Sequence, residues 1–291
     1  MSFTLLRKFC SAVFRTLLVL FLLNSCQKTV ADFDNENPPE PPVSIGDSTC
    51  LFTTINFNDD IDRKYSKHFE MDVEGKPVRC YEIDDQGVLL DWEMKFSPGR
   101  IDLLHGQWIK LDGNGRVAES NTGIGMHVSG DIIFRKKYFY NTEGYLVRIE
   151  QVSNLQPEQY NAVYSYTWTD GNLTTLSLEQ TSGFSNRIEY RYDTSVKVSN
   201  FMEERNLDLL MYFQHFLNLG KKSKNLLKTS ERLFYDESGL ESSRETFDYF
   251  DHKIDANGNV LGFQKTQTLY SSGSDITDQL TTRHTLTYDC K

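Results

Sequence analysis

The stretch from Tyr138 to Glu150, Tyr-Phe-Tyr-Asn-Thr-Glu-Gly-Tyr-Leu-Val-Arg-Ile-Glu, leaves the backbone little choice. Two runs of aromatic and β-branched residues flank Asn141-Thr142-Glu143-Gly144. Asparagine opens a type I turn because its side-chain oxygen accepts a backbone N–H two residues on. Glycine closes it because the residue after such a turn often needs φ > 0. The stretch predicts a β-hairpin, and the signal recurs. Glycines that precede an apolar residue in a strand-like run stand at 75, 87, 115, 144, 171, 239 and 258. From 87 through 115 and 144 to 171 the intervals are 28, 29 and 27 residues. Such a unit holds two ordinary strands and two turns, so each repeat is expected to be a hairpin with its return connection.

Side-chain alternation supports strands with one packed and one wet face. Tyr164, Tyr166 and Trp168 share a parity, with Val163, Ser165 and Thr167 on the other. Ile188, Tyr190 and Tyr192 alternate with Glu189 and Arg191, and Leu286 and Tyr288 with Thr285 and Thr287. The expected fold is all-β: an antiparallel meander of repeated β-hairpins forming a strongly curved sheet or barrel-like shell. One segment departs from it. In 206–219 the apolar residues Leu207, Leu209, Leu210, Met211, Phe213, Phe216 and Leu217 fall at helical spacing. Asn206 can cap the start, and Gly220 followed by Lys221-Lys222 suits the stop. A helical insertion is therefore expected over 206–219, plugging or covering one end of the sheet.

Residues 1–25 have the layout of an export signal. Arg7, Lys8 and Arg15 provide positive charge, Leu17 to Leu23 is apolar, and Leu23-Asn24-Ser25-Cys26 follows. The apolar run is shorter than the roughly 20 residues of a spanning helix. The segment resembles the signal peptide of a bacterial lipoprotein. That resemblance implies cleavage after Ser25 and lipidation of Cys26. Residues 26–50 read as the lipidated Cys and a disordered tether, with Pro38, Pro39, Pro41 and Pro42 among acids and little apolar content. Its acidic residues resemble the surface-export signals of Bacteroidetes-type lipoproteins. Residues 51–291 read as a single β-hairpin-repeat domain.

Removing 1–25 takes away three cations and no acid, so the net charge moves from −10 to −13. Such a chain is repelled by phosphate backbones, and nucleic acid is excluded as an expected partner. With Cys10 in the signal and Cys26 lipidated, Cys50, Cys80 and Cys290 remain. They allow three single disulfides, and spacing does not choose among them. His68, His105, His127, His215, His252 and His284 show no metal-motif spacing. Asn56-x-Asn58-x-Asp60-x-Asp62 starts like a calcium loop, but Ile61 stands where the sixth-position Gly belongs. No catalytic, cofactor-binding or metal residue is expected, and no cofactor.

The body resembles a family of uncharacterised Bacteroidetes-type lipoproteins, a domain of unknown function with a porin-like β fold and tyrosine-aspartate-repeat-like hairpins. The matching residues are the hairpins above, Ser223-Lys224-Asn225-Leu226, and the closing Leu286-Thr287-Tyr288. The resemblance covers roughly 70–291 and implies architecture without chemistry. The expected location is the outer membrane, lipid-anchored on the periplasmic face or the cell surface. The expected role is a non-catalytic binding or interaction module for a protein, a glycan or a small hydrophobic ligand. A glycan- or lipid-acting hydrolase and an outer-membrane channel are the alternatives.

Overall fold

The computed structural model describes residues 50–59, 64–73, 76–103, 106–127, 130–153, 161–199, 217–271 and 276–290. The expected signal, the lipidation site Cys26 and most of the expected helix lie outside them.

The described residues form sixteen strands. They are β1 (Cys50–Asp59), β2 (Lys64–Met71), β3 (Pro77–Asp84), β4 (Gly87–Ser97), β5 (Arg100–Leu103), β6 (Trp108–Leu111), β7 (Val117–His127) and β8 (Gly130–Tyr140). There follow β9 (Leu146–Ser153), β10 (Ala162–Thr169), β11 (Asn172–Gln180), β12 (Ser185–Lys197), β13 (Asn225–Tyr235), β14 (Glu241–Ile254), β15 (Val260–Ser271) and β16 (Ile276–Cys290). Each pairs antiparallel with its neighbours in sequence, and β1 pairs with β16, so the meander closes into a barrel. The all-β hairpin meander is as expected, and of the two shapes left open the closed barrel is the one found.

The turns explain the repetition. Gly144 N–H donates to Asn141 O at 3.0 Å, Asn141 Oδ1 accepts from Glu143 and Tyr145 N–H, and Gly144 has φ +89°. Asp112–Gly115, Asp236–Gly239 and Asp255–Gly258 copy this arrangement bond for bond. Each is a type I turn closed by a glycine in the left-handed region. The link between β10 and β11 differs: Asp170 (φ 49°) and Gly171 (φ 73°) both have positive φ, a two-residue type I′ turn. A further turn at Gln180–Gly183 has the same backbone bonds, with glutamine in the asparagine position.

The interval from Gly87 to Gly115 is not one hairpin. It contains β4 and the two four-residue strands β5 and β6, so Gly87 and Gly115 lie at opposite ends of the barrel. The period matches there because two short strands and their turns occupy about as much chain as one long strand.

The end that carries Cys50 and Cys290, here the lower end, also carries the turns at 112–115, 141–144, 170–171 and 255–258. The apolar inner face is most completely buried toward it: Val117, Leu146, Leu173 and Leu227 have 0% exposure and Val260 1%.

Candidate functional site

Three features bear on function: a strap along the lower rim, a polar tier inside the upper half, and a charged outer wall.

The strap runs from Leu217 to Lys224, between β12 and β13. It crosses the lower turns and satisfies their backbone groups in order. Val117 N–H donates to Asn218 O at 3.0 Å, Lys221 N–H to Gly144 O at 3.0 Å, and Lys224 N–H to Gly171 O at 3.2 Å. Gly220 bridges Tyr145. Leu217 and Leu219 are buried in the core. Residues 217–219, the last of the expected helix, are therefore not a helical turn; they belong to an extended strap. Residues 206–216 of the expected insertion lie outside the described residues, and the described part runs along the rim formed by the turns at Gly115, Gly144 and Gly171.

The strap also gives a physical account of Ser223-Lys224-Asn225-Leu226. Ser223 Oγ accepts the Leu173 N–H at 2.9 Å and donates to the Tyr192 hydroxyl at 3.0 Å. Asn225 and Asn172 exchange two bonds: Asn172 Nδ2 donates to Asn225 Oδ1 (3.0 Å), and Asn225 N–H donates to Asn172 Oδ1 (3.1 Å). Asn225 Nδ2 also donates to Thr194 O and Val196 O, each at 3.1 Å. These side chains satisfy backbone that leaves the ladder where β12 bulges, because a buried polar group without a partner is costly.

A second set of bonds fixes successive repeats, and it was not legible in sequence. The Tyr140 hydroxyl donates to Val117 O, Trp168 Nε1 to Leu146 O, and the Tyr192 hydroxyl to Leu173 O, each at 2.8 Å. Each acceptor lies two residues past a turn glycine: Gly115, Gly144 or Gly171. The aromatic on the lower part of β8, β10 or β12 thus ties back to the start of the strand immediately before its own. Sequence shows the aromatic parity but not what the polar tip of each ring bonds.

The polar tier lies above. Lys67 on β2 pairs with Glu82 on β3 at 2.8 Å, with only 11% and 13% of their side chains exposed. Lys136 on β8 is 1% exposed, and its ammonium lies 5.5 Å from the centre of the Tyr164 ring. The Tyr164 hydroxyl donates to Gln151 Oε1 at 3.2 Å. Arg232 on β13 pairs with Glu245 on β14 at 3.3 Å. Asn186, 5% exposed, sits on β12 diagonally across from Arg232, as the register of Asn186 with Phe234 and Ile188 with Arg232 requires. Asn186 Oδ1 and Arg232 Nε are buried atoms without a hydrogen-bond partner among the described residues.

Of the six rings singled out by alternation, Tyr164, Tyr166 and Tyr190 are buried in the core, and Trp168 and Tyr192 pack against it. The side chain of Tyr288 is outside the described set. These five rings therefore belong to the packed inner face. His252 and His284, far apart in sequence, both stack on Phe263, at 6.0 and 4.5 Å between ring centres. Burial holds the His252 imidazole below its usual range. Among the described residues no three His, Cys, Asp or Glu side chains form a metal-binding group.

The outer wall is charged. Arg79 on β3 bridges Glu70 on β2 (3.2 Å) and Asp91 on β4 (2.6 Å). Lys228 pairs with Asp193 at 3.0 Å and Arg244 with Glu231 at 3.4 Å, both across strands. Arg148–Glu150 and Arg187–Glu189 pair along one strand, each at 3.0 Å. Arg135, Lys137 and Arg191 are also exposed.

Solved structures with a similar fold include two porin-like proteins. One is a porin-like protein from Bacteroides uniformis, with TM-score 0.58 and 12% identity, covering 82% of this chain and 98% of that one. The other is a porin-like protein from Bacteroides vulgatus, with TM-score 0.53 and 12% identity over the same shares of both chains. At this identity the likeness concerns the fold. The chain has a porin-like β-barrel fold. No protein-family model matches it, and no curated protein does.

Proposed function

We propose that this chain is an outer-membrane lipoprotein, anchored through a lipid on Cys26, whose barrel stands in water beside the bilayer and acts as a non-catalytic binding module. The observation that carries this reading is the outer wall. A barrel embedded in lipid presents an apolar band about 25 Å tall, and an outward Arg or Lys at the midplane costs about 2–4 kcal/mol. Here ion pairs run around the outside, including Arg79 between Glu70 and Asp91. Such a wall suits water, so attachment to a membrane falls to the lipidated cysteine.

The polar tier supports binding. A ligand entering from the upper end would meet paired charges, amides and tyrosine rings. That chemistry suits a glycan or polar peptide better than a small hydrophobic molecule, since sites fix ligands through a few aimed polar groups. The porin-like neighbours keep one second reading alive, a channel.

Fractionation of cells expressing Cys26→Ala tests the choice. The wild type is expected to pellet with membranes and the variant to appear folded in the soluble fraction. A variant that still needs detergent for release would overturn the reading in favour of an embedded barrel.

A further inference from the structure

The register of the closing strands settles a choice that spacing leaves open. Cys50 opens β1 and stands directly opposite Cys290, near the end of β16, in the pair that closes the barrel. Directly opposed residues of antiparallel strands have Cα atoms about 4.5–5.5 Å apart, depending on whether the pair is hydrogen-bonded. Either value lies inside the roughly 4.4–6.8 Å that a disulfide spans.

Cys80 is excluded by the same geometry. It sits on β3, whose order in the barrel is two strands from β1 and three from β16. At about 4.8 Å per strand its Cα is about 10 Å or more from either partner, beyond the roughly 7 Å limit for a bridge. Its register partners are Phe69 and Trp92. It is buried as a free thiol, and burial pushes its pKa up to about 12, so it stays protonated and inert.

We propose that Cys50 and Cys290 form a disulfide that fastens the first strand to the last at the lower end of the barrel. The proposal rests on the export part of the functional reading, because an oxidising compartment permits the bond. It forms by thiol–disulfide exchange with a dithiol oxidoreductase in its disulfide form. One S–S bond forms in this chain and one breaks in the oxidoreductase. Two electrons pass to the oxidoreductase, which leaves as a dithiol carrying the two protons. The bond has a mechanical sense in an anchored protein. Cys50 is where the segment from Cys26 enters the barrel, so tension on the anchor arrives at β1, and the bridge passes it to the opposite end of the chain.

Peptide mapping of the exported full-length protein tests this. Free thiols are alkylated without reduction, and the chain is cut with trypsin. The expected product is residues 29–63 linked to residues 284–291, with residues 80–95 alkylated on Cys80. A second readout is the melting point, which should fall on adding reductant to the wild type and stay unchanged on adding it to Cys290→Ser. Residues 284–291 found alkylated and unlinked, or Cys80 found in a bridge, would overturn the proposal. Membrane fractionation reports separately on export and anchoring, so failure of that reading and failure of this one give different results.

Discussion

Gly220→Ala isolates what the strap contributes. Gly220 has φ +78°, and a Cβ there would overlap the Gly144 carbonyl oxygen and lie 3.0 Å from two ring carbons of Tyr140. The left-handed backbone alone costs alanine about 1 kcal/mol. The overlap is with backbone, so no side chain can swing aside, and the strap must lift from the 141–144 turn. Lifting it breaks the Lys221 N–H bond to Gly144 O and the bridge to Tyr145, each worth about 1 kcal/mol net. The expected loss is about 3 kcal/mol. Gly144→Ala is the control. Its φ is +89°, but the nearest atom to a Cβ is Arg116 Nη1 at 4.0 Å, so only the backbone term of about 1 kcal/mol applies. Gly239→Ala, with φ +81° and nothing within 4 Å, should match Gly144→Ala. Urea unfolding of the three variants measures the differences, and a gap of about 2 kcal/mol between Gly220→Ala and the others is predicted. Equal losses at all three positions would show that the strap does not lie against the turn.

Asn225→Ala leaves Thr194 O, Val196 O and the buried Asn172 amide without their donor or acceptor, and should cost about 3 kcal/mol in the same assay; a loss under 1 kcal/mol would mean that water replaces the side chain. The turn carboxylates make acid stability predictable. At Asp112 burial raises the pKa, but the Arg116 backbone N–H and guanidinium lower it further; Asp236 is held down first by the Ser238 hydroxyl and Asp255 by the Asn259 amide. All three folded values lie below the unfolded value of about 3.9, so their stabilisation is complete above that pH and is lost as pH falls through the depressed values. Asn141 makes the same turn bonds without titrating, so changing all three aspartates to asparagine should shrink the difference in urea midpoint between pH 7 and pH 3; an unchanged difference would place the acid sensitivity elsewhere.

The hairpins were legible because their determinants are local. Asn141 with Gly144, and Asp255 with Gly258, bond within their own four or five residues, and strand parity follows from the next few residues. The turn at Gln180–Gly183 was missed because glutamine lacks the short side-chain reach by which asparagine or aspartate announces a turn. Closure of the barrel was not legible either, since the pairing of Cys50 with Cys290 links residues from opposite ends of the chain. The polar tier depends on the same long-range order. Lys67, Lys136 and Arg232 look like solvent-facing cations in sequence, and only their inward parity in a closed wall buries them. The lower aromatics showed as a stripe, but their function as carbonyl partners for Val117, Leu146 and Leu173 required the register.

The meander has a consequence for how the chain reaches its native state. Every strand except the outermost two pairs with its immediate predecessor and successor in sequence. Those contacts can form hairpin by hairpin as the chain emerges, at small loop-closure cost. The β1–β16 pair alone spans the whole domain, so it must come last. Until β16 is complete the growing sheet carries two open edges, and an unpaired edge is a template for another chain. The vulnerable species is therefore a nearly complete, unclosed sheet. Truncations that remove β16 are the ones to expect in aggregates, even though they leave fifteen strands and nearly all of the core intact.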